Sequence, residues 1–151
     1  MPTFSPSSGP PTGTSTSLEQ YVEAIADLLT RDKVCSVSEI AEQVRVSRPA
    51  ASRAVRELAQ MKLVDHKAYG YVDLTSEGQS LADKLTAKHE VLYEFLKNVL
   101  GFESDWSDQE ACRLEHQIGD DVTERLALLC EFFRVDANAL KRLARKTLEA
   151  D

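Results

Sequence analysis

Four of the five prolines in this 151-residue chain lie in residues 1–17, "MPTFSPSSGPPTGTSTS", and the fifth is Pro49. A proline in a helix interior removes a backbone donor, clashes with the preceding turn and costs about 3 kcal/mol. Beyond residue 17 that restriction applies at one position alone, so helices are expected over most of the chain. Residues 1–17 are otherwise mostly Ser, Thr and Gly. Such a segment cannot bury a core, and a disordered tail is expected there.

The apolar spacing divides the rest. Leu18, Tyr21, Val22, Ile25, Leu28 and Leu29 share one face of a helix over about 18–30, the period of 3.6 residues being the signal. Ser17 is the expected N-cap, with Gln20 completing a capping box. In "VSEIAEQVRVSRPAASRAVRELAQMKLV" a short helix is expected to start at Ser38 and bury Ile40, Ala41 and Val44. "RVS" makes a turn. A second helix starts near Arg48, tolerates Pro49 in its first turn and buries Ala51, Val55 and Leu58. Two short helices joined this way form a helix-turn-helix. "LVDHKAYGYVDLT" alternates around Gly70 and reads as a hairpin, or wing. Thr75 should cap a long helix running to Gly101, with Leu81, Leu85, Leu92, Leu96 and Val99 inward. Further helices are expected at about 107–118, at about 121–134, and from Asp136 onward. The domains expected are a winged helix-turn-helix at 18–75 and a helical domain at 76–151.

Net charge is −7, which by itself argues against nucleic acid as a partner. The distribution argues the other way: residues 45–67 sum to +4, and the remainder to −11. Ser47, Arg48, Pro49, Ser52, Arg53 and Arg56 surround the exposed side of the second helix-turn-helix helix. A solvated basic face is the common fate of such residues. Position after a tight turn and before a wing favours a helix that reads double-stranded DNA. Arg53 is the candidate for base contact, Arg48, Ser52 and Arg56 for phosphate, and Lys67 for a phosphate contact from the wing. No apolar run reaches the roughly 18 residues needed to span a bilayer. No leader pattern is visible either, so a cytoplasmic protein without membrane contact is expected. Cys35, Cys112 and Cys130 are odd in number and far apart, as free thiols or ligands would be.

"EACRLEHQIGDD" raises a chemical question. In a helix, Cys112, Glu115 and His116 fan over one arc, and Ala111, Leu114 and Ile118 over the opposite one. Two readings stand: one face of a metal site, or a solvent-facing polar stripe. His89, between Leu85 and Leu92, falls on an apolar face, either as a satisfied core residue or as a ligand aimed at a neighbouring helix. Glu23 projects opposite the first helix's apolar stripe, where periodicity makes it solvent-exposed. Nothing in the local pattern brings these segments together. No phosphate loop, Ser–His pair or HExxH-type motif is present, and no enzyme is expected.

The order of first helix, winged helix, "AKHEVLYEFL" and "EACRLEHQIGDDV" resembles the metal-dependent transcriptional repressors that include the diphtheria toxin repressor and the manganese transport regulator, in two-domain form. The likeness covers roughly 17–134. Its most specific parts are Cys112-x-x-Glu115-His116 followed by Asp120 and Asp121, and His89 upstream. The resemblance implies a mainly α fold: an N-terminal winged helix-turn-helix domain with a two-stranded wing, then an α-helical metal-binding and dimerisation domain. It implies that His89, Glu115 and His116 are ligands shared across the family, and that Glu23 matches a ligand of manganese-type members. Cys112 matches a position that is Cys in iron-type members and Glu in manganese-type ones. Gln20 falls where the family has Asp or Met, so its coordination stays open.

Oxygen and imidazole donors suit Mn(II) or Fe(II), and both remain open. The function implied is a repressor of metal-ion homeostasis. It would be a homodimer pairing through the Val122/Leu126/Leu129/Phe133 stripe (unless that stripe packs within one subunit), on a near-palindromic operator. The alternative is a winged-helix repressor answering a small organic effector or thiol oxidation.

Overall fold

The computed structural model describes residues 16–32, 34–67 and 70–149. The tail expected before Thr16 lies outside them, as do Ala68 and Tyr69 of the expected wing. Helix α1, Thr16–Asp32, buries Leu18, Tyr21, Val22, Ile25 and Leu28 as its spacing predicts. It starts at Thr16, so Ser17 sits in the first turn and is not the cap; the turn carrying the packed Leu18 already includes both residues.

Helix α2 spans Val37–Val44, so it starts one residue before the expected Ser38, and its cap is Ser36. The Ser36 hydroxyl accepts the Glu39 N–H at 3.3 Å, and the Glu39 carboxylate accepts the Ser36 N–H at 2.8 Å. This reciprocal box is the sequence signal that Ser38 obscured. Arg45 closes α2 in the left-handed region (φ 61°), where a non-glycine residue is uncommon. The chain then turns into α3, Arg48–Gln60, capped by Ser47 with Pro49 in its first turn. Ala51, Ala54, Val55 and Leu58 face inward.

Strands β1, Val64–His66, and β2, Val72–Leu74, pair antiparallel in the register Val64↔Leu74, Asp65↔Asp73 and His66↔Val72. A bridge from Ser36 to Tyr71 anchors the wing to the start of α2. The core of this half joins α1, α2, α3, Val64, Val72 and Ala82.

Ala82 belongs to α4, Ser76–Glu94, whose entry is fixed by two contacts. The Thr75 hydroxyl donates to the Lys62 carbonyl at 2.7 Å and accepts the Gly78 N–H at 3.0 Å. A Cβ on Gly78 would stand 1.9 Å from the Leu63 carbonyl oxygen, so only glycine permits this approach. The long helix expected to run unbroken to Gly101 changes character: Phe95–Val99 form a π-helical segment, the Leu100 N–H reaching the Phe95 carbonyl at 3.0 Å. Gly101 (φ 82°) ends it.

Helix α5 spans Ser104–Leu114, shorter and earlier than expected. The Gln117 N–H reaches the Leu114 carbonyl at 2.8 Å, three residues back, which tightens the final turn, while the Ile118 N–H keeps the four-residue helical spacing to the same carbonyl at 3.1 Å. Helix α6, Asp120–Val135, follows, then α7, Ala137–Leu148, capped as expected by Asp136, whose carboxylate accepts the Ala139 N–H at 2.9 Å.

The second half packs Leu92, Leu96 and Ala111 with Tyr93, Leu114, Ile118 and Leu126. This splits the expected pairing stripe. Leu126 faces the subunit's own core, and Phe133 half-buries beside Val99 and Cys130. Val122 and Leu129 remain exposed, together with Leu128 (70% exposed), Phe132 (55%) and Val135 (78%). Apolar residues cover more than one face of α6, so packing chose which of them stays outside. Among the described residues no helix is long and apolar enough to cross a membrane.

Candidate metal centre and nucleic-acid interface

Helix α3 presents Arg48, Pro49, Arg53 and Arg56 to solvent, with Ser52 half-buried among them. The Ser47 hydroxyl is engaged as the cap, accepting the Ala50 N–H at 3.3 Å. Arg56 donates from Nε to the Ser52 carbonyl at 3.3 Å, which lays its side chain along the helix. Arg53 has the freer reach. Lys67 on the wing pairs with Asp73 at 3.4 Å across exposed surface, a contact worth little and easily exchanged for another anion. In a salt-dependence series, Arg53→Ala is expected to relax sequence preference by about 1–3 kcal/mol at one base position. Arg56→Ala should weaken binding evenly across sequences and reduce the slope of log K against log salt by about 1. Fluorescence anisotropy on matched duplexes reads both.

The second site forms where α5 ends. Glu115 follows α5 directly, with its N–H still bonded to the Ala111 carbonyl at 3.0 Å, and side chains from α1 and α4 close over it and over His116. Both side chains fold inward, with exposures of 2% and 1%. The polar-stripe reading of this segment therefore fails for these two residues. Ala111, one turn before Glu115, is fully buried against Leu92 and Leu96 and sets this end of α5 against α4. Glu23 reaches in from α1, and one donor atom each from Glu23, Glu115 and His116 lie within 4.8 Å of one another. Glu23 is 26% exposed, more enclosed than periodicity predicts, because the far domain covers it.

His116 Nε2 is 3.4 Å from a carboxylate oxygen of Glu23 and 3.4 Å from one of Glu115. It is buried and has no hydrogen-bond partner among the described residues. Its other nitrogen, Nδ1, is 2.8 Å from the Glu19 carboxylate. His89, half-buried at 27% rather than in the core, bridges two carboxylates: Nδ1 to Glu115 at 3.0 Å and Nε2 to Asp108 at 3.0 Å. Burial pushes the Glu115 carboxyl up to about 8, helped by the charges of Glu23, Glu19 and Asp108. Burial also raises Glu23, against the lowering pull of His116. Packing carboxylates together away from water is costly without a compensating cation. A buried imidazole nitrogen with no partner, facing two carboxylates, is a donor set that fits a divalent first-row cation.

Cys112 and His89 lie outside this group of three. Cys112 and Gln20 are exposed, at the edge of an open cleft of about 640 Å³ shared with Glu23, Asp27 and Arg45. Burial of its thiol, then Glu115 and Glu23, hold Cys112 above the usual thiol range. The turn itself is pinned from α4. Lys88, almost fully buried, donates to the Ile118 carbonyl and pairs with Asp120, both at 3.0 Å. Glu19, Asp108 and Lys88 are further members of this site that the sequence motifs do not include. Helical spacing carried a signal for two of them: Glu19 lies one turn before Glu23, and Asp108 one turn before Cys112.

Comparison with known proteins gives matches over both halves. Residues 13–72 match the family model described as the iron-dependent repressor N-terminal DNA-binding domain, and residues 75–143 that described as the iron-dependent repressor metal-binding and dimerisation domain. The HTH-type transcriptional regulator MntR of Oceanobacillus iheyensis is 29% identical over 136 residues, 89% of this chain and 91% of the relative. MntR of Bacillus subtilis is 27% identical over 137 residues, 89% of this chain and 96% of the relative. Among solved structures, the manganese regulator SloR superposes with a TM-score of 0.67 at 36% identity, over 76% of this chain and 54% of that one. A manganese-dependent transcriptional repressor in complex with manganese gives 0.69 at 33%, over 76% and 53%. The chain thus spans about half the length of these two solved structures.

Proposed function

The chain belongs to the iron-dependent repressor family, and on that premise we propose that Glu23, His89, Glu115 and His116 hold the divalent ion that governs its DNA binding. The family's members are metal-responsive, DNA-binding transcriptional regulators rather than enzymes, and Mn(II) or Fe(II) is the metal. Residues 18–75 serve as the operator-reading domain and residues 76–151 as the metal-binding and pairing domain, in a cytoplasmic homodimer on near-palindromic double-stranded DNA.

The observation that carries the site is the orphaned His116 Nε2, enclosed by carboxylates from two different halves of the chain. When bound, Mn(II) or Fe(II) supplies the positive charge that Glu23, Glu115 and the imidazoles otherwise lack. Glu23 brings its carboxylate from α1, the helix packed in the core of the reading domain. Glu115 and His116 bring theirs from the turn after α5. Holding all three together restricts how α3 swings relative to the dimer, and a restricted pair of α3 helices fits two major grooves about 34 Å apart. Gln20 and Cys112, which line the cleft beside Glu23, serve as outer neighbours of this set. The exposed face of α6, Val122, Leu128, Leu129, Phe132 and Val135, serves as the pairing surface.

Regulation by thiol oxidation is not favoured. Cys35 and Cys130 are buried, and burial pushes the Cys35 thiol up to about 12. So few thiolates are present at neutral pH to react.

Selection of a random duplex pool with and without Mn(II) tests the proposal. Near-palindromic sequences recovered only with metal support it; equal recovery in both arms overturns it.

A pH dependence follows from Glu115. Below about 8 its carboxyl carries a proton that metal must displace. Apparent Mn(II) affinity should therefore rise with pH up to about 8 and level off above it. Calorimetry in two buffers of different ionisation enthalpy should show about one proton released per ion near neutral pH.

A further inference from the structure

Helix α1 places two carboxylates on one imidazole. Glu19 and Glu23, one turn apart, approach His116 from its two sides: Glu19 at Nδ1, 2.8 Å away, and Glu23 on the Nε2 side. An ionised carboxylate only accepts hydrogen bonds, so His116 Nδ1 is the donor in the first contact. A neutral imidazole that carries its proton on Nδ1 has its lone pair on Nε2. That is the buried, unpartnered atom facing Glu23 and Glu115.

Resting on the metal site proposed above, we infer that Glu19 is the positioning residue of that site: without coordinating, it fixes the tautomer and ring orientation that turn the His116 Nε2 lone pair towards the cation. Glu19 suits the task. Its side chain is 15% exposed, so the contact is shielded from water. It lies outside the group of donor atoms that converge within 4.8 Å. It also spans 97 residues of sequence, linking the reading domain to the metal-binding turn through a side-chain contact of its own. Asp108 makes the corresponding contact to His89, but from a carboxylate 66% exposed, where solvent weakens its hold.

A plainer role is open to Glu19, since an acidic residue in the first turn of α1 favours the helix dipole. That role affects helix stability alone. Orientation of His116 affects which ring nitrogen carries the proton, and how tightly metal binds. Outer partners of metal-bound histidines typically contribute roughly 10–100-fold to metal affinity.

The test compares the full-length wild type with Glu19→Ala and Glu19→Gln. Mn(II) dissociation constants come from electron paramagnetic resonance of free Mn(II). The His116 tautomer comes from long-range ¹H–¹⁵N spectra of the metal-free protein, which has only three histidines to assign. Wild type should show the proton on Nδ1. Glu19→Ala should lose that preference and bind Mn(II) about 10–100-fold more weakly. The isosteric Glu19→Gln keeps an acceptor but no charge, so its affinity should fall between the two; it carries the test if the alanine variant does not fold. Either folded variant binding Mn(II) within about twofold of wild type overturns the inference, as does weaker binding with the tautomer unchanged. If wild type itself binds no Mn(II), or His116→Ala binds as wild type does, it is the site reading that fails.

Discussion

His116→Ala protein should bind operator duplex with the same affinity whether or not Mn(II) or Fe(II) is present. Coupling between an effector and a second ligand is typically about 1–3 kcal/mol, or 5–150-fold in affinity, and that whole difference should vanish. The reason lies in the geometry. His116 contributes a nitrogen that is fully enclosed, points between Glu23 and Glu115, and has no other partner among the described residues. Removing the ring leaves Glu23 and Glu115 with carboxylates too weakly organised to bind across the domain boundary. Metal affinity should fall by more than the roughly 10–100-fold typical of an outer-partner loss. Metal-free DNA affinity should stay near the wild-type value, since α3 and the wing are untouched. Anisotropy titrations with and without 1 equivalent of metal per site, done anaerobically for Fe(II), read both quantities. A metal response of wild-type size in the variant would remove His116 from the site.

The second large effect is on assembly. A Leu128→Glu/Phe132→Glu double variant should sediment as a monomer at concentrations where wild type is a dimer. Leu128 and Phe132 are 70% and 55% exposed in the single subunit, one turn apart on α6, and flanked by Val122, Leu129 and Val135. A contiguous apolar face of this kind marks an interaction surface. Two carboxylates there would have to be desolvated on pairing, without partners, at several kcal/mol. The subunit's own fold should be little affected, because both side chains point away from the Leu92/Leu96/Ala111 core. Losing one of two linked reading heads should weaken operator binding by about 10²–10⁴-fold. A double variant that remains dimeric would move the pairing surface elsewhere, and the Leu126/Phe133 side would not replace it, since those residues face inward.

Much of this was readable beforehand, for identifiable reasons. The 3.6-residue spacing of Leu18, Tyr21, Val22 and Ile25 named the buried face of α1, and all four are packed. Pro49, tolerated in a first turn, marked the start of α3 near Arg48, and Asp136 as cap that of α7, because these preferences act within three residues. Sequence and structure part where a capping side chain shifts a helix start or where a distant contact decides. The start of α2 was expected at Ser38, and the Glu39 carboxylate, returning to the Ser36 N–H, sets it one residue earlier. The regular helix expected through Ile118 ends at Leu114, where the Gln117 N–H shifts to three-residue spacing and Lys88 from α4 exerts its pull on the Ile118 carbonyl. No short-range pattern encodes that pull.

Sequence alone determined the helical character of the chain, the helix-turn-helix with its wing, the cationic segment, and the residue types able to hold a metal. These follow from proline placement, periodicity and capping, which act over a few turns of one element. Tertiary structure alone decided that Glu19 and Glu23 meet a histidine 97 and 93 positions away, which nitrogen of that histidine is left facing the carboxylates, and which side of α6 stays uncovered. The physical reason is range: backbone and capping preferences are settled between near neighbours, whereas the burial that drives α1 against the turn after α5 is a property of the whole packed core.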